Sequence, residues 1–224
     1  MRPGMPKQNY QKVLDGILQQ LVLEGRRPRL LLHSCCAPCS SYVLEYLSKY
    51  FEITVFYYNP NIYPPKEYDE RLAEVRRLVS EMEFAHPVTV VAGAYDPALF
   101  FDAVKGLEAE KEGGARCERC FRLRLMEAAR LAKDGGYDYF TTTLTVGPKK
   151  DARLLNQLGE EIGSMYGVAY LNSDFKKKNG HFRSLELSEQ YGLYRQDYCG
   201  CVFSRRRGDA GAAASGRDAG DLSF

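Results

Sequence analysis

Arg29-Leu30-Leu31-Leu32-His33-Ser34-Cys35-Cys36-Ala37-Pro38-Cys39 is the stretch on which the fold turns. A short apolar run reads as a strand buried in a sheet. The cysteine loop after it leads into a helix, with Ser40 or Ser41 as its cap and Val43, Leu44 and Leu47 along it. Outward from this unit the same alternation continues. Residues 11–23 precede it as a helix with Leu14, Ile17, Leu18, Leu21 and Val22 on one face, ended by Gly25 and Pro28. Strands are expected at 53–58, 88–91, 139–144 and 168–171, and helices at 68–82, 97–107, 121–132 and 152–166. The C-x-x-C at Cys117 and Cys120 falls just before the helix over 121–132. Strands alternating with helices define an α/β class, a Rossmann-like parallel sheet flanked by helices. Ligands of such sheets bind beyond the carboxyl ends of the strands. The cysteine loop, the Asn59–Pro65 loop and the segment Thr141–Lys150 would gather there.

The 224 residues suffice for one domain with a real core, expected over 1–204. The tail 205–224, rich in Ala, Gly, Asp and Arg, lacks apolar periodicity and is expected to be disordered. No apolar run approaches the roughly 20 residues needed to span a bilayer, so no membrane partner is expected. The polar N-terminus has no secretory h-region, which points to the cytoplasm. A net charge of +2 does not announce a nucleic-acid binder, so any such surface must be local.

The seven cysteines fall in three clusters: Cys35, Cys36 and Cys39; Cys117 and Cys120; Cys199 and Cys201. In a reducing compartment, clustered thiols more often mean metal or redox chemistry than structural disulfides, and an odd number fits a disulfide framework poorly. Soft thiolates select zinc, copper(I) or iron–sulfur clusters. On spacing alone, paired C-x-x-C motifs fit zinc and a [4Fe–4S] cluster equally. A thioredoxin-like reading explains one pair and leaves the other cysteines idle. Neighbouring side chains diverge, so Cys36 and Cys39 are expected to converge while Cys35 faces elsewhere. Cys199-Gly200-Cys201 offers a redox-labile pair or further ligands. His33 is a candidate ligand or hydrogen-bond donor to a thiolate, or simply a packed strand-end histidine.

Basic residues collect in Lys149, Lys150 and Arg153 and in the run Lys176 to Arg183. Such runs can hold phosphates while Phe182 or tyrosines stack on bases, although a charge run is usually a solvated face. No G-x-x-x-x-G-K-[ST], no G-x-G-x-x-G and no Ser-Gly-Gly-x-Asp-Ser phosphate loop is present.

His33-Ser-Cys-Cys-Ala-Pro-Cys39, Tyr58-Asn-Pro-Asn-Ile62, Arg116-Cys-Glu-Arg-Cys-Phe-Arg-Leu-Arg124, Phe140-Thr-Thr-Thr-Leu144, Phe175-Lys-Lys177 with Asn179-Gly180, Arg183-Ser184 and Tyr194-Arg-Gln-Asp-Tyr-Cys-Gly-Cys201 together resemble the cobalamin-independent epoxyqueuosine reductases, the QueH family. The resemblance runs in order from about residue 30 to 204. Where that family often has Ser-Pro and a tyrosine, this chain has Gly147-Pro148 and His181. The resemblance implies an ATP-pyrophosphatase-like (HUP) α/β scaffold, an iron–sulfur cofactor, and a tRNA substrate with a GUN anticodon carrying epoxyqueuosine. The implied reaction is two-electron reduction of the epoxide on the wobble base to an alkene, with release of water.

With that chemistry in view, one C-x-x-C pair on each side makes Cys36, Cys39, Cys117 and Cys120 the expected ligands of a [4Fe–4S] cluster. Cys35 with Cys199 or Cys201 is left to hold a second iron or act as a redox thiol. His33, Asp197 and the tyrosines near Asn59 are candidate proton donors. Asn59, Asn61, Lys149, Lys150, Lys176, Lys177 and Arg183 are candidate contacts to the anticodon arm. No flavin or nicotinamide motif is visible, so an external electron donor such as ferredoxin or flavodoxin is expected. Three readings compete: an ATP-dependent tRNA thiolase on the same scaffold, a zinc-stabilised RNA-binding module without redox activity, and a disulfide reductase.

Overall fold

The computed structural model describes residues 8–204. Residues 1–7 lie outside the described part, as does the tail 205–224 for which disorder is expected.

The strand β1 (Arg29–Ser34) is the centre of the architecture. Around it, in chain order, come α1 (Tyr10–Leu23), α2 (Ala37–Leu47), β2 (Glu52–Tyr57), α3 (Pro65–Glu81), β3 (Val88–Ala92), α4 (Pro97–Ala103), α5 (Ala115–Asp134), β4 (Tyr139–Thr142), α6 (Ala152–Tyr166), β5 (Ala169–Tyr170) and α7 (Gly180–Gln190). The five strands pair in parallel in the order β3-β2-β1-β4-β5. This is the strand order of a Rossmann-like sheet, whose binding crevice opens where the winding reverses, here between β1 and β4. A central parallel strand is buried on both faces. Leu30 and Leu32 therefore pack with α1, α2 and α3, while Leu31 packs with α5 and α6. No helix among the described residues is long and apolar enough to cross a membrane.

Register fixes the functional edge. His33 lies opposite Phe56 on one side and Thr142 on the other, and Ser34 lies opposite Tyr57. The loops leaving β1, β2 and β4 thus start at one level.

Several boundaries depart from expectation, each for a local reason. The cap of α2 is Cys36, whose sulfur accepts from the Cys39 N–H, so the helix starts at Ala37 and neither Ser40 nor Ser41 caps it. Pro38 sits in its first turn, where a missing N–H costs nothing. The helix α5 begins at Ala115 and so contains the C-x-x-C instead of following it. β4 ends at Thr142 because its hydroxyl accepts from the Leu144 N–H and turns the chain into a single 3-10 turn over 143–146. On α1, Val22 points to solvent. The expected helix over 97–107 closes at Ala103. The helix α7 carries no apolar stripe: it buries Gly180, Ser184 and Ser188 against its neighbours, and Leu187 is its one large buried residue.

Candidate metal centre: two groups of thiols

All seven thiols are free. The structure gathers them differently from the pairing that spacing suggests. Cys35, Cys36 and Cys39 form one group, their sulfurs all within 4.8 Å of one another. Neighbouring side chains do converge here: the extended backbone at Cys36 and the helical turn after it bring Cys35 Sγ and Cys36 Sγ to 3.7 Å. Around a tetrahedral ion with metal–sulfur bonds of about 2.3 Å, ligand sulfurs lie ~3.8 Å apart. The triad can therefore bind a metal with little rearrangement. Among the described residues it is the one group of three or more Cys, His, Asp or Glu ligand atoms so closely gathered.

The loop is held from beneath. Ser40 Oγ donates to the Cys36 carbonyl at 2.8 Å and accepts from Ser34 Oγ at 2.6 Å. Asn59 Nδ2 donates to the Ser34 carbonyl at 2.8 Å. Within the triad, Cys36 and Cys39 both direct hydrogen bonds to Cys35, and buried Arg124 adds its charge, so the Cys35 thiol is held well below its ordinary range despite burial. The other two move up: Cys36 by burial and by its bond to Cys35, Cys39 by its bonds to Cys35 and Cys36. A helix N-terminus further favours a thiolate.

His33 does not join the group of sulfurs. Its Nε2 faces the Tyr58 carbonyl at 3.1 Å and its Nδ1 faces Thr142 Oγ1 at 2.9 Å. A carbonyl only accepts, so Nε2 carries the proton and Nδ1 accepts from the Thr142 hydroxyl. Burial, helped by the nearby Arg124 charge, pushes the imidazole down to about 4. A neutral ring with both nitrogens occupied ties β1 to β4 and to the end of β2. It is a scaffold residue, the packed strand-end histidine of the plainer reading.

Cys117, Cys120, Cys199 and Cys201 line one recess with Phe100, Phe121, Arg116 and Arg124. Cys117 and Cys120 share a face because residues three apart on a helix are neighbours. The Gly113 N–H donates to Cys117 Sγ at 3.2 Å. The C-x-C loop reaches α5 because Arg71 of α3 holds it. Arg71 is paired with Glu67 at 2.7 Å, donates to the carbonyls of Tyr198 and Cys199, and lies over the Tyr198 ring. Gly200 is required between the two thiols. Its φ of +99° is left-handed, and a Cβ there would stand 2.8 Å from Ile62 and 3.2 Å from Arg71. Burial pushes Cys120 up to about 12 and also raises Cys201.

Arg124, four residues beyond Cys120 on α5, has no role that the sequence assigns. It is 1% exposed and has no carboxylate partner among the described residues. Its Nε donates to the Cys120 carbonyl and its Nη1 to Asn59 Oδ1, both at 3.3 Å, while Nη2 has no partner. Although burial opposes its charge, the sulfurs of Cys120, Cys199, Cys35 and Cys117 favour it. An isolated buried charge is costly unless offset by opposite charge. Glu112 also lines the recess but is ion-paired with Lys150, so among the described residues the charges that favour Arg124 are those of the sulfurs, a setting that suits deprotonated thiols. The signal in the sequence was an arginine recurring at helical spacing from a C-x-x-C.

The candidate substrate contacts separate. Lys149 and Lys177 are exposed and carry no ion pair among the described residues. Lys176 is paired with Asp174 at 3.0 Å, and Arg183 is clamped between Glu45 and Glu186. Lys150 turns inward to Cys199 and Glu112. Asn59 is consumed in holding Ser34 and Arg124, while buried Asn61 leaves its Oδ1 without a partner. Asp197 is exposed.

Two groups of thiols set on a Rossmann-like sheet, with a buried guanidinium between them, define an α/β protein with a cysteine-rich site, one group of which could hold a metal. Comparison with known proteins gives the class a family. The model of the epoxyqueuosine reductase QueH family matches residues 30–207. Epoxyqueuosine reductase QueH of Staphylococcus epidermidis is 45% identical over 202 residues, covering 88% of this chain and 85% of that protein. The protein of that name from Streptococcus pyogenes is 42% identical over 208 residues (92% and 81%), and that from Thermotoga maritima 34% over 181 residues (78% and 89%). The chain belongs to the epoxyqueuosine reductase QueH family and is an oxidoreductase of queuosine synthesis.

Proposed function

We propose that the substrate is tRNA with a GUN anticodon carrying epoxyqueuosine at the wobble position, and that the epoxide is reduced to the alkene of queuosine. The balance is one epoxide, two electrons and two protons in, and one alkene and one water out. The observation that carries this reading is the grouping of all seven cysteines about buried Arg124, in a chain of a family named for that reduction.

The grouping of thiols supports a revised assignment. Cys117, Cys120, Cys199 and Cys201 are a Cys₄ set for a [4Fe–4S] cluster. Cys35, Cys36 and Cys39 are a three-thiol set for a single iron with an open position. Bound there, the cluster supplies electrons one at a time and the iron supplies a Lewis acid for an oxygen. The chain's own residues do the rest. Phe100 and Phe121 wall the recess against water. Arg124 stabilises negative charge between the groups, its unpartnered Nη2 free to donate to an oxygen leaving the substrate. Lys149 and Lys177 are exposed cations free to meet phosphates of the anticodon arm. Electrons come from a small external donor, a ferredoxin or flavodoxin, and the protein works in the cytoplasm.

The test is an anaerobic turnover of epoxyqueuosine-containing tRNA with a chemical or ferredoxin reductant, followed by nucleoside mass spectrometry. Conversion to queuosine, dependent on reconstitution with iron and sulfide, is expected. Conversion by the metal-free or zinc-loaded chain would contradict the reading.

A further inference from the structure

Lys150 stands out among the lysines because it points away from water. Its side chain is 13% exposed, and its Nζ lies 3.4 Å from Cys199 Sγ and 3.0 Å from Glu112 Oε1. Both contacts are donor to acceptor: an ammonium has three N–H groups and accepts nothing. Glu112 is more exposed, at 34%, and sits on the loop before α5, so it steers the ammonium without replacing it at the sulfur. The main-chain carbonyl of Lys150 is fixed in turn by Lys176 Nζ at 3.3 Å. Of the other three sulfurs in the recess, Cys117 receives a neutral hydrogen bond from the Gly113 N–H. Cys199 alone of the four receives a charged side-chain donor among the described residues.

Hydrogen bonds and positive charge at a ligand sulfur favour the more negative, reduced state of an iron–sulfur centre, and the protein tunes such centres through this outer layer. We propose that Lys150 is a positioning residue that raises the reduction potential of the centre held by the four-thiol group, acting through Cys199 Sγ and oriented by Glu112. The inference rests on the reading of that group as a cluster site. It replaces the phosphate contact that sequence spacing suggests for Lys150, since a lysine turned inward onto the half-buried Cys199 sulfur and paired with Glu112 is not available to a polyanion in solvent.

The experiment uses the full chain, reconstituted anaerobically, with iron and sulfide per chain and the midpoint potential measured by spectroelectrochemistry. Lys150→Met keeps the length of the side chain and removes the donor and the charge. It is expected to load the same iron and sulfide and to shift the midpoint about 59 mV more negative, the one-electron equivalent of a tenfold weaker tendency to accept an electron. Lys150→Arg, which keeps charge and donors, is expected to stay within half of that shift. A Lys150→Met protein with a normal cluster and an unchanged midpoint overturns the inference and leaves the cluster assignment standing. Wild-type protein that takes up no iron and sulfide overturns the assignment, and this inference with it.

Discussion

The two thiol groups are built in opposite ways. The triad is local: three sulfurs within five residues, set by one strand end and one helix N-terminus, with Ser34, Ser40 and Asn59 fixing the turn. The four-thiol group is assembled across the chain from α5 and a loop about eighty residues later, and it depends on Arg71 and Gly200 to bring that loop home. A local site is set up by secondary structure. A long-range site exists only when tertiary packing is complete, so it is the one that substitutions far from the sulfurs will dismantle.

The largest effects separate the groups outright. Cys117→Ser or Cys201→Ser should abolish the broad visible band of a thiolate cluster after anaerobic reconstitution, whereas Cys36→Ala should keep that band and lose turnover. If Cys36→Ala bleaches the protein and Cys201→Ser does not, the division between the groups fails. Next comes Arg71→Met, which leaves Glu67 buried without its partner and frees the C-x-C loop. Breaking a buried pair in this way costs about 3–5 kcal/mol, seen as an earlier denaturant midpoint together with reduced cluster loading. Binding of one metal ion by the triad should persist. Gly200→Ala forces a Cβ into left-handed backbone against Ile62. It should cost about 1–3 kcal/mol and again spare the triad. The smallest effect lies at the rim. Lys149→Ala or Lys177→Ala should weaken tRNA binding and lower the salt dependence of log K by about 0.7–1 per residue, while Arg183→Ala, already held by Glu45 and Glu186, should change it little.

The same contrast explains what was legible in the sequence. Leu30-Leu31-Leu32 and the cysteines after it announce a buried strand and a functional loop, and the parallel sheet follows from alternation alone. The helix α7 was illegible because it buries Gly180, Ser184 and Ser188, small residues that leave no hydrophobic period to read. The start of α5 is hidden in the sequence because Glu110 to Ala115 is charged and glycine-containing, while the buried residues Arg116 and Cys120 give no apolar period in that window. Spacing puts Cys117 and Cys120 side by side, yet it does not show which other thiols meet them. That depends on Arg71 drawing Cys199 toward α5, a contact 128 residues apart in the chain. Lys150 and Arg124 look like any basic residues until their surroundings are known. The sulfur beside them sets them apart, with Arg124 buried and Lys150 turned inward.

The most direct test of the two-group account is the ratio of iron to acid-labile sulfide in anaerobically purified, reconstituted wild-type protein and in Cys36→Ala. A cluster on the four-thiol group and a single ion on the triad predict about five irons to about four sulfides per chain, falling to about four of each in the variant. Equal iron and sulfide in wild type, or tightly held zinc without sulfide, would contradict it.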